Sequence, residues 1–240
     1  MVLIIDIGNT RTKTGIFSGS NLKKIVRPDI RSTSRFRDFL SKNKIERIFV
    51  GTVKNQIPSS VLKNGIAPVE LFSHKTRVPI KNKYKTAFTL GSDRLAAAVG
   101  GWKMFPGFPV LVIDAGTCLK FNFVSVKGEY LGGSIAPGLE MRYKALHNFT
   151  DRLPLINSKT TKTPLLGNST ELSIRSGVEN GMIAETKGLI GDYLEKYPKL
   201  KIVVTGGDGE FFVRHLKMPI FADPNLVLKG LNEILLFNAA

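Results

Sequence analysis

Two stretches of the chain place an aspartate and a glycine at the end of an apolar run: Leu3-Ile4-Ile5-Asp6-Ile7-Gly8-Asn9-Thr10 and Leu111-Val112-Ile113-Asp114-Ala115-Gly116-Thr117-Cys118. In each, the apolar run suits a buried strand, and the glycine allows a sharp turn with close backbone approach. The residues that follow, 12–17 and 119–126, can return as a second strand. Such a turn offers backbone N–H groups and hydroxyls to a phosphate, and a carboxylate that can hold a divalent cation directly or through water. One copy says little, because Asp and Gly populate ordinary hairpin turns. Two copies, each opening one half of the chain, predict two facing turns that grip one nucleotide. A third glycine-rich element, Val203-Val204-Thr205-Gly206-Gly207-Asp208-Gly209, ends another apolar run, and its glycines would let the backbone approach the nucleoside.

The elements that must position these turns alternate between strand and helix. Ser32 or Ser34 can cap a helix carrying Phe36, Phe39 and Leu40, ahead of a strand at 47–50. Ser92 can cap another helix through Leu95-Ala96-Ala97-Ala98-Val99, and Leu139, Tyr143, Leu146 and Phe149 mark a third. The glycine-rich element precedes a helical segment at 210–216, while a long helix is expected over 170–196 and a last one over 226–237. The motif restarts just after Phe105-Pro106-Gly107-Phe108-Pro109, which sets two units at 1–108 and 109–240.

Bulk properties narrow the chemistry further. A 240-residue chain that is 42% hydrophobic and 22% charged has enough apolar material for a real core. Its single cysteine, Cys118, excludes an intrachain disulfide, and His74, His147 and His215 stand too far apart for zinc-ligand spacing. Any metal is therefore expected on oxygen ligands. The apolar start is interrupted at Asp6 and lacks a basic leader, and no apolar run is long enough for a bilayer, so a cytoplasmic address without membrane partners is expected. The net charge of +16 is spread along the whole length. Alone it is compatible with nucleic acid, an acidic membrane surface or phosphate-rich substrates. No helix-turn-helix, zinc-finger or RNA-binding signature supports nucleic acid.

Taken in order, Asp6-Ile7-Gly8-Asn9-Thr10, Leu90-Gly91-Ser92-Asp93-Arg94, Asp114-Ala115-Gly116-Thr117, Tyr130-Leu131-Gly132-Gly133-Ser134-Ile135-Ala136-Pro137-Gly138 and Thr205-Gly206-Gly207 resemble the type III pantothenate kinase family. The resemblance implies an α/β fold of duplicated actin-like (ribonuclease H-like) domains with the nucleotide cleft between them. It implies a homodimer that moves the γ-phosphate of ATP to pantothenate, with Mg2+ and an activating monovalent cation, K+ or NH4+. By position, it assigns Asp6, Ile7, Gly8, Asn9, Thr10, Arg11, Thr12 and Lys13 to the first phosphate loop, with Asp6 near magnesium, and Thr117 to a second phosphate contact. Asp93 matches the catalytic base, Asp114 the monovalent-cation ligand, and Tyr84, Gly91, Ser92, Asp93, Arg94 and Thr170 the pantothenate contacts.

The chain departs from the family pattern at Lys120 and Asn122, where a hydroxyl residue and an aspartate are usual, and at Ala87, where proline is usual. Two other readings stay open on sequence alone. One is another small-molecule kinase on the same fold, since fold does not fix function. The other is a non-catalytic regulatory or nucleic-acid-binding accessory protein that uses the basic surface.

Overall fold

The computed structural model describes residues 1–157 and 163–239. The first half runs β1 (Val2–Ile7), β2 (Thr12–Ser18), β3 (Asn21–Val26), α1 (Thr33–Lys42), β4 (Arg47–Thr52), α2 (Ser59–Leu62), β5 (Val69–Leu71), β6 (Lys81–Asn82) and α3 (Ser92–Met104). The second half begins with β7 (Val110–Ala115), β8 (Cys118–Val124), β9 (Glu129–Pro137) and α4 (Leu139–Asn148). It continues through α5 (Thr170–Arg175), α6 (Gly181–Lys196), β10 (Lys201–Thr205), α7 (Gly209–Leu216), β11 (Phe221–Ala222) and α8 (Leu226–Ala239).

The repeated motif is matched by a repeated topology. One sheet has the order β3-β2-β1-β4-β5, and the other has β9-β8-β7-β10-β11 with β6 added beside β9. In both, the motif strand pairs antiparallel with the next strand and parallel with the strand that returns after the helices. Every residue of β7 is buried, as its apolar run Val110–Ile113 requires for a central strand covered on both faces; Asp114 is the one charged exception. This is the duplicated actin-like arrangement. Among the described residues no helix is long and apolar enough to cross a membrane.

Helices α3 and α8 follow the last strands of the two sheets and pack against each other. A Cβ on Gly230 of α8 would lie 1.8 Å from the Ala96 carbonyl of α3, and one on Gly100 would lie 2.7 Å from the Leu226 carbonyl. Glycine is therefore what lets the two backbones touch. Around this contact Leu228, Leu231, Ile234 and Leu235 of α8 share a core with Ile4, Phe17 and Phe49 of the first sheet and Val124 and Tyr130 of the second.

Most expected elements are present with shifted ends, and some details differ. Ser32 caps α1 by accepting from the Arg35 amide. Ser92 does not cap α3: Gly91 holds the extended cap position, and Ser92, now the first helical residue, donates its hydroxyl to the Thr52 carbonyl at 2.8 Å. That bond ties α3 to the end of β4. The apolar stripe of α4 stops before Phe149, which takes the C-cap and is 87% exposed. The helix expected over 170–196 is continuous but contains a π-turn at Ser176–Asn180 between α5 and α6.

Replacing Gly230 by alanine should force α3 and α8 apart and lower the unfolding free energy by about 1–3 kcal/mol, as overpacking does. Gly188→Ala on α6, where an added Cβ meets nothing within 4 Å, should instead raise it by about 0.5–1 kcal/mol. Urea titration of the two variants against the parent measures both.

Candidate active site

The two hairpin turns face each other across a cleft of about 620 Å³, a size suited to a small ligand. Thr10 Oγ1 and Thr117 Oγ1, one from each turn, stand 2.8 Å apart as a hydrogen-bonded pair. The turns thus meet hydroxyl to hydroxyl in the cleft that also holds Asp6 and Asp114, the next-to-last residues of β1 and β7.

The strand registers place a lysine opposite each of those carboxylates: Asp6 pairs with Lys13, and Asp114 with Lys120. The two lysines then diverge. Lys13 Nζ donates to the Pro224 carbonyl at 2.9 Å. Lys120 Nζ sits 2.6 Å from Asp114 Oδ2 and 2.6 Å from Asp93 Oδ2, bridging the second turn to the start of α3. The other Asp93 oxygen accepts from the Arg94 amide at 2.8 Å, which fixes the carboxylate's orientation.

Asp93 and Asp114 bring two further negative charges close to Asp6. Burial, and then the charges of Asp93 and Asp114, push Asp6 up from 3.8 to about 7 despite Lys13 and Lys120. For Lys120, burial by itself lowers the pKa, but the Asp114 and Asp93 carboxylates outweigh it and hold the ammonium above its usual range. An uncomfortable Asp6 anion beside two facing phosphate turns fits a divalent cation. The described residues contain no cluster of three or more metal-binding side chains. A divalent ion beside Asp6 would leave its remaining positions to phosphate oxygens and water.

Beside Asp93, Arg94 is buried at 5% exposure. Its Nε donates to Asn122 Oδ1 at 2.8 Å, the Tyr130 hydroxyl donates to the same oxygen at 3.0 Å, and the Tyr84 ring lies 5.5 Å from the guanidinium carbon. Arg94 Nη2 has no partner among the described residues. A neutral amide therefore orients the guanidinium without cancelling its charge, leaving a buried donor for an anion.

The third wall is the glycine-rich turn after β10. Gly206 has φ +96°, and a Cβ there would lie 2.1 Å from the Ala115 carbonyl, so only glycine permits this approach to the second phosphate turn. The Asp208 amide donates to the same carbonyl at 2.9 Å, and burial raises the Asp208 carboxyl above its ordinary value.

The cleft gathers Asp6, Gly8, Asn9, Thr10, Arg11, Lys13, Tyr84, Gly91, Asp93, Arg94, Asp114 and Thr117. Four expected residues lie elsewhere. Ile7 is core, Thr12 pairs with it on β2, Ser92 turns to Thr52, and Thr170 is exposed in the first turn of α5. Sequence reasoning missed Glu140 and Lys144, which form an ion pair one helical turn apart on the cleft-lining side of α4. The signal was the Pro137-Gly138 turn that launches α4 beside the second phosphate loop. Lys120 stood out only as a departure, although its cross-strand pairing with Asp114 repeats that of Lys13 with Asp6.

A carboxyl whose folded pKa exceeds its unfolded value favours folding while protonated, and that contribution is lost as pH rises. For Asp6 the loss runs from about 4 to about 7. Without divalent cation, Asp6→Asn should therefore unfold at a higher temperature than the parent at pH 8, with the gap closing toward pH 4. Melting curves across that window test the sign.

A model of the family described as type III pantothenate kinase matches residues 2–192. A type III pantothenate kinase of Cytophaga hutchinsonii is 42% identical over 241 residues, spanning 99% of this chain and 100% of its own. Among solved structures, one described as a conserved Baf family transcriptional activator from Campylobacter jejuni superposes with a TM-score of 0.63 at 23% identity, over 99% of this chain and 98% of that one. A Listeria monocytogenes protein described as an N-acetylmannosamine kinase gives 0.54 at 14%, over 100% and 99%. These two likenesses carry the fold alone. The family match, the near-complete relative and the paired Asp-x-Gly turns agree: the chain belongs to the type III pantothenate kinase family.

Proposed function

We propose that the chain transfers the γ-phosphate of ATP to the primary hydroxyl of pantothenate, giving 4′-phosphopantothenate and ADP, the first step of coenzyme A biosynthesis. The observation that carries this reading is the meeting of Thr10 and Thr117 in the cleft that holds Asp6 and Asp114, with Asp93 and Arg94 presented at its side. Phosphoryl transfer asks chiefly for positioning and charge neutralisation; the two opposed turns supply the first, and Arg11, Lys13, Arg94 and Lys120 in the cleft lining supply positive charge toward the second.

In this reading residues 6–13 and Thr117 hold the phosphates, and Gly206 and Gly207 let the adenosine lie against backbone. Asp6 would hold a magnesium ion, which would supply charge neutralisation to the phosphates. Asp93 accepts the hydroxyl proton as the substrate oxygen bonds to γ-phosphorus and the bridging bond to ADP breaks. The Arg94 guanidinium, held by Asn122 and flanked by Tyr84, takes the pantothenate carboxylate, with Gly91 and Ser92 setting the start of α3 beneath it. Thr170 lies outside this cleft, so a pantothenate contact requires a second copy to bring it there, which suits a homodimer. We also take 1–108 and 109–240 as the two organisational units, with β6 and α8 crossing between them, and a cytoplasmic address as suited to a biosynthetic kinase.

The test is to incubate the protein with ATP, magnesium and pantothenate and detect phosphopantothenate by mass. Asp93→Asn should lower kcat by about 10²–10⁴-fold, the span of general-base contributions, with ATP affinity unchanged. Loss of ATP binding in parallel would remove Asp93 from the role of base. Product with a sugar but not with pantothenate would move the chain to another acceptor on the same fold.

A further inference from the structure

The family resemblance implies an activating K+ or NH4+ at Asp114, and the residues present do not fit it. The Asp114 carboxylate is already met by the Lys120 ammonium at 2.6 Å, which also holds Asp93 at 2.6 Å. The three side chains are enclosed, at 16% exposure for Lys120, 10% for Asp114 and 19% for Asp93. We propose that the Lys120 ammonium takes the place of the activating monovalent cation, so that this chain works without potassium or ammonium. The inference rests on the phosphotransfer reading above.

An alkylammonium and a free NH4+ share the same charge and donor chemistry. Lys120 is anchored directly across the hairpin from Asp114, so its charge is present at an effective concentration that a diffusing ion must compete with. A second cation at Asp114 would also face the repulsion of the first. The placement is not hairpin geometry simply repeated, because Lys13, equally opposite Asp6, reaches the Pro224 carbonyl instead. Of the three ammonium donors, two serve the carboxylates and one remains for a phosphate oxygen in the cleft that Lys120 lines.

The neighbouring departure completes the charge balance. Asn122, two residues on and on the same face of β8, is fully buried and binds Arg94 through a neutral oxygen. A carboxylate there would pair with Arg94 and consume the charge aimed at an anionic substrate. Lysine at 120 and asparagine at 122 together let the chain's own residues supply positive charge that the usual pattern draws from solution.

The experiment uses the full chain in a buffer whose only monovalent cation is tetramethylammonium, at matched ionic strength, with and without KCl or NH4Cl. Wild type should make phosphopantothenate at the same rate in all three. Lys120→Thr should lose about 10²-fold in kcat/KM, the scale of removing one preorganised charge aimed at the transferring group, and regain rate with K+ or NH4+ but not with tetramethylammonium. In parallel, K+ should raise the melting temperature of Lys120→Thr and leave that of wild type unchanged. Stimulation of wild type by K+ would overturn the proposal, and so would a folded Lys120→Thr that no cation rescues. The wild-type measurements do not depend on any variant folding, and Lys120→Met gives a second substitution of similar volume. If wild type makes no product in any buffer, the phosphotransfer reading fails, while the melting shifts still decide whether Lys120 excludes a cation from Asp114.

Discussion

Three carboxylates brought into one cleft are the constraint around which the site is built. Asp6 and Asp114 arrive at the ends of two equivalent strands, and Asp93 arrives from the start of α3. Left alone they would repel one another, and the upward shift of Asp6 records that repulsion together with burial. Two lysines answer it, Lys120 between two of them and Lys13 across from the third, and a divalent ion accompanying the nucleotide would add to them. The arrangement is costly when empty. It becomes favourable when phosphates and their metal arrive, which suits a cleft meant to bind charge rather than to rest on it.

Helix α3 links that electrostatic problem to the packing. Its first turn presents Asp93 and Arg94, its first residue is tied to β4 through Ser92, and its middle touches α8 through glycines. A displacement of α8 would therefore reach Asp93 through a single rigid rod. The same helix leans on β7 where Gly101 faces Val112, so Asp93 and the Asp114 strand are held in one frame.

Much of this was legible in the sequence because it is local. The paired Asp-x-Gly turns, the strands around them and the glycines after β10 follow from period and turn chemistry within a dozen residues. The parts that were not legible depend on contacts between distant segments. Ser92 looked like a cap, but the approach of β4 gave its hydroxyl a better acceptor. Lys120 looked like an intrusion at a cation site and proves to be part of an ion-paired bridge. Thr170 was read from its flanks, yet the fold sets it on an exposed helix start away from the cleft. Strand β6, only two residues long, joins the second sheet with no periodicity that could have announced it.

The core shared by α8 and the first sheet bears on how the molecule comes off the ribosome. Phe17 and Phe49 are made early, but Leu228 and Leu231, which cover them, lie at the far end of the described chain. Until that helix emerges, the part of the first sheet that α8 covers stands open, and contacts between segments so far apart in sequence slow closure. The nascent chain therefore carries part of that apolar face exposed until its last helix is made, the situation in which holding chaperones matter most.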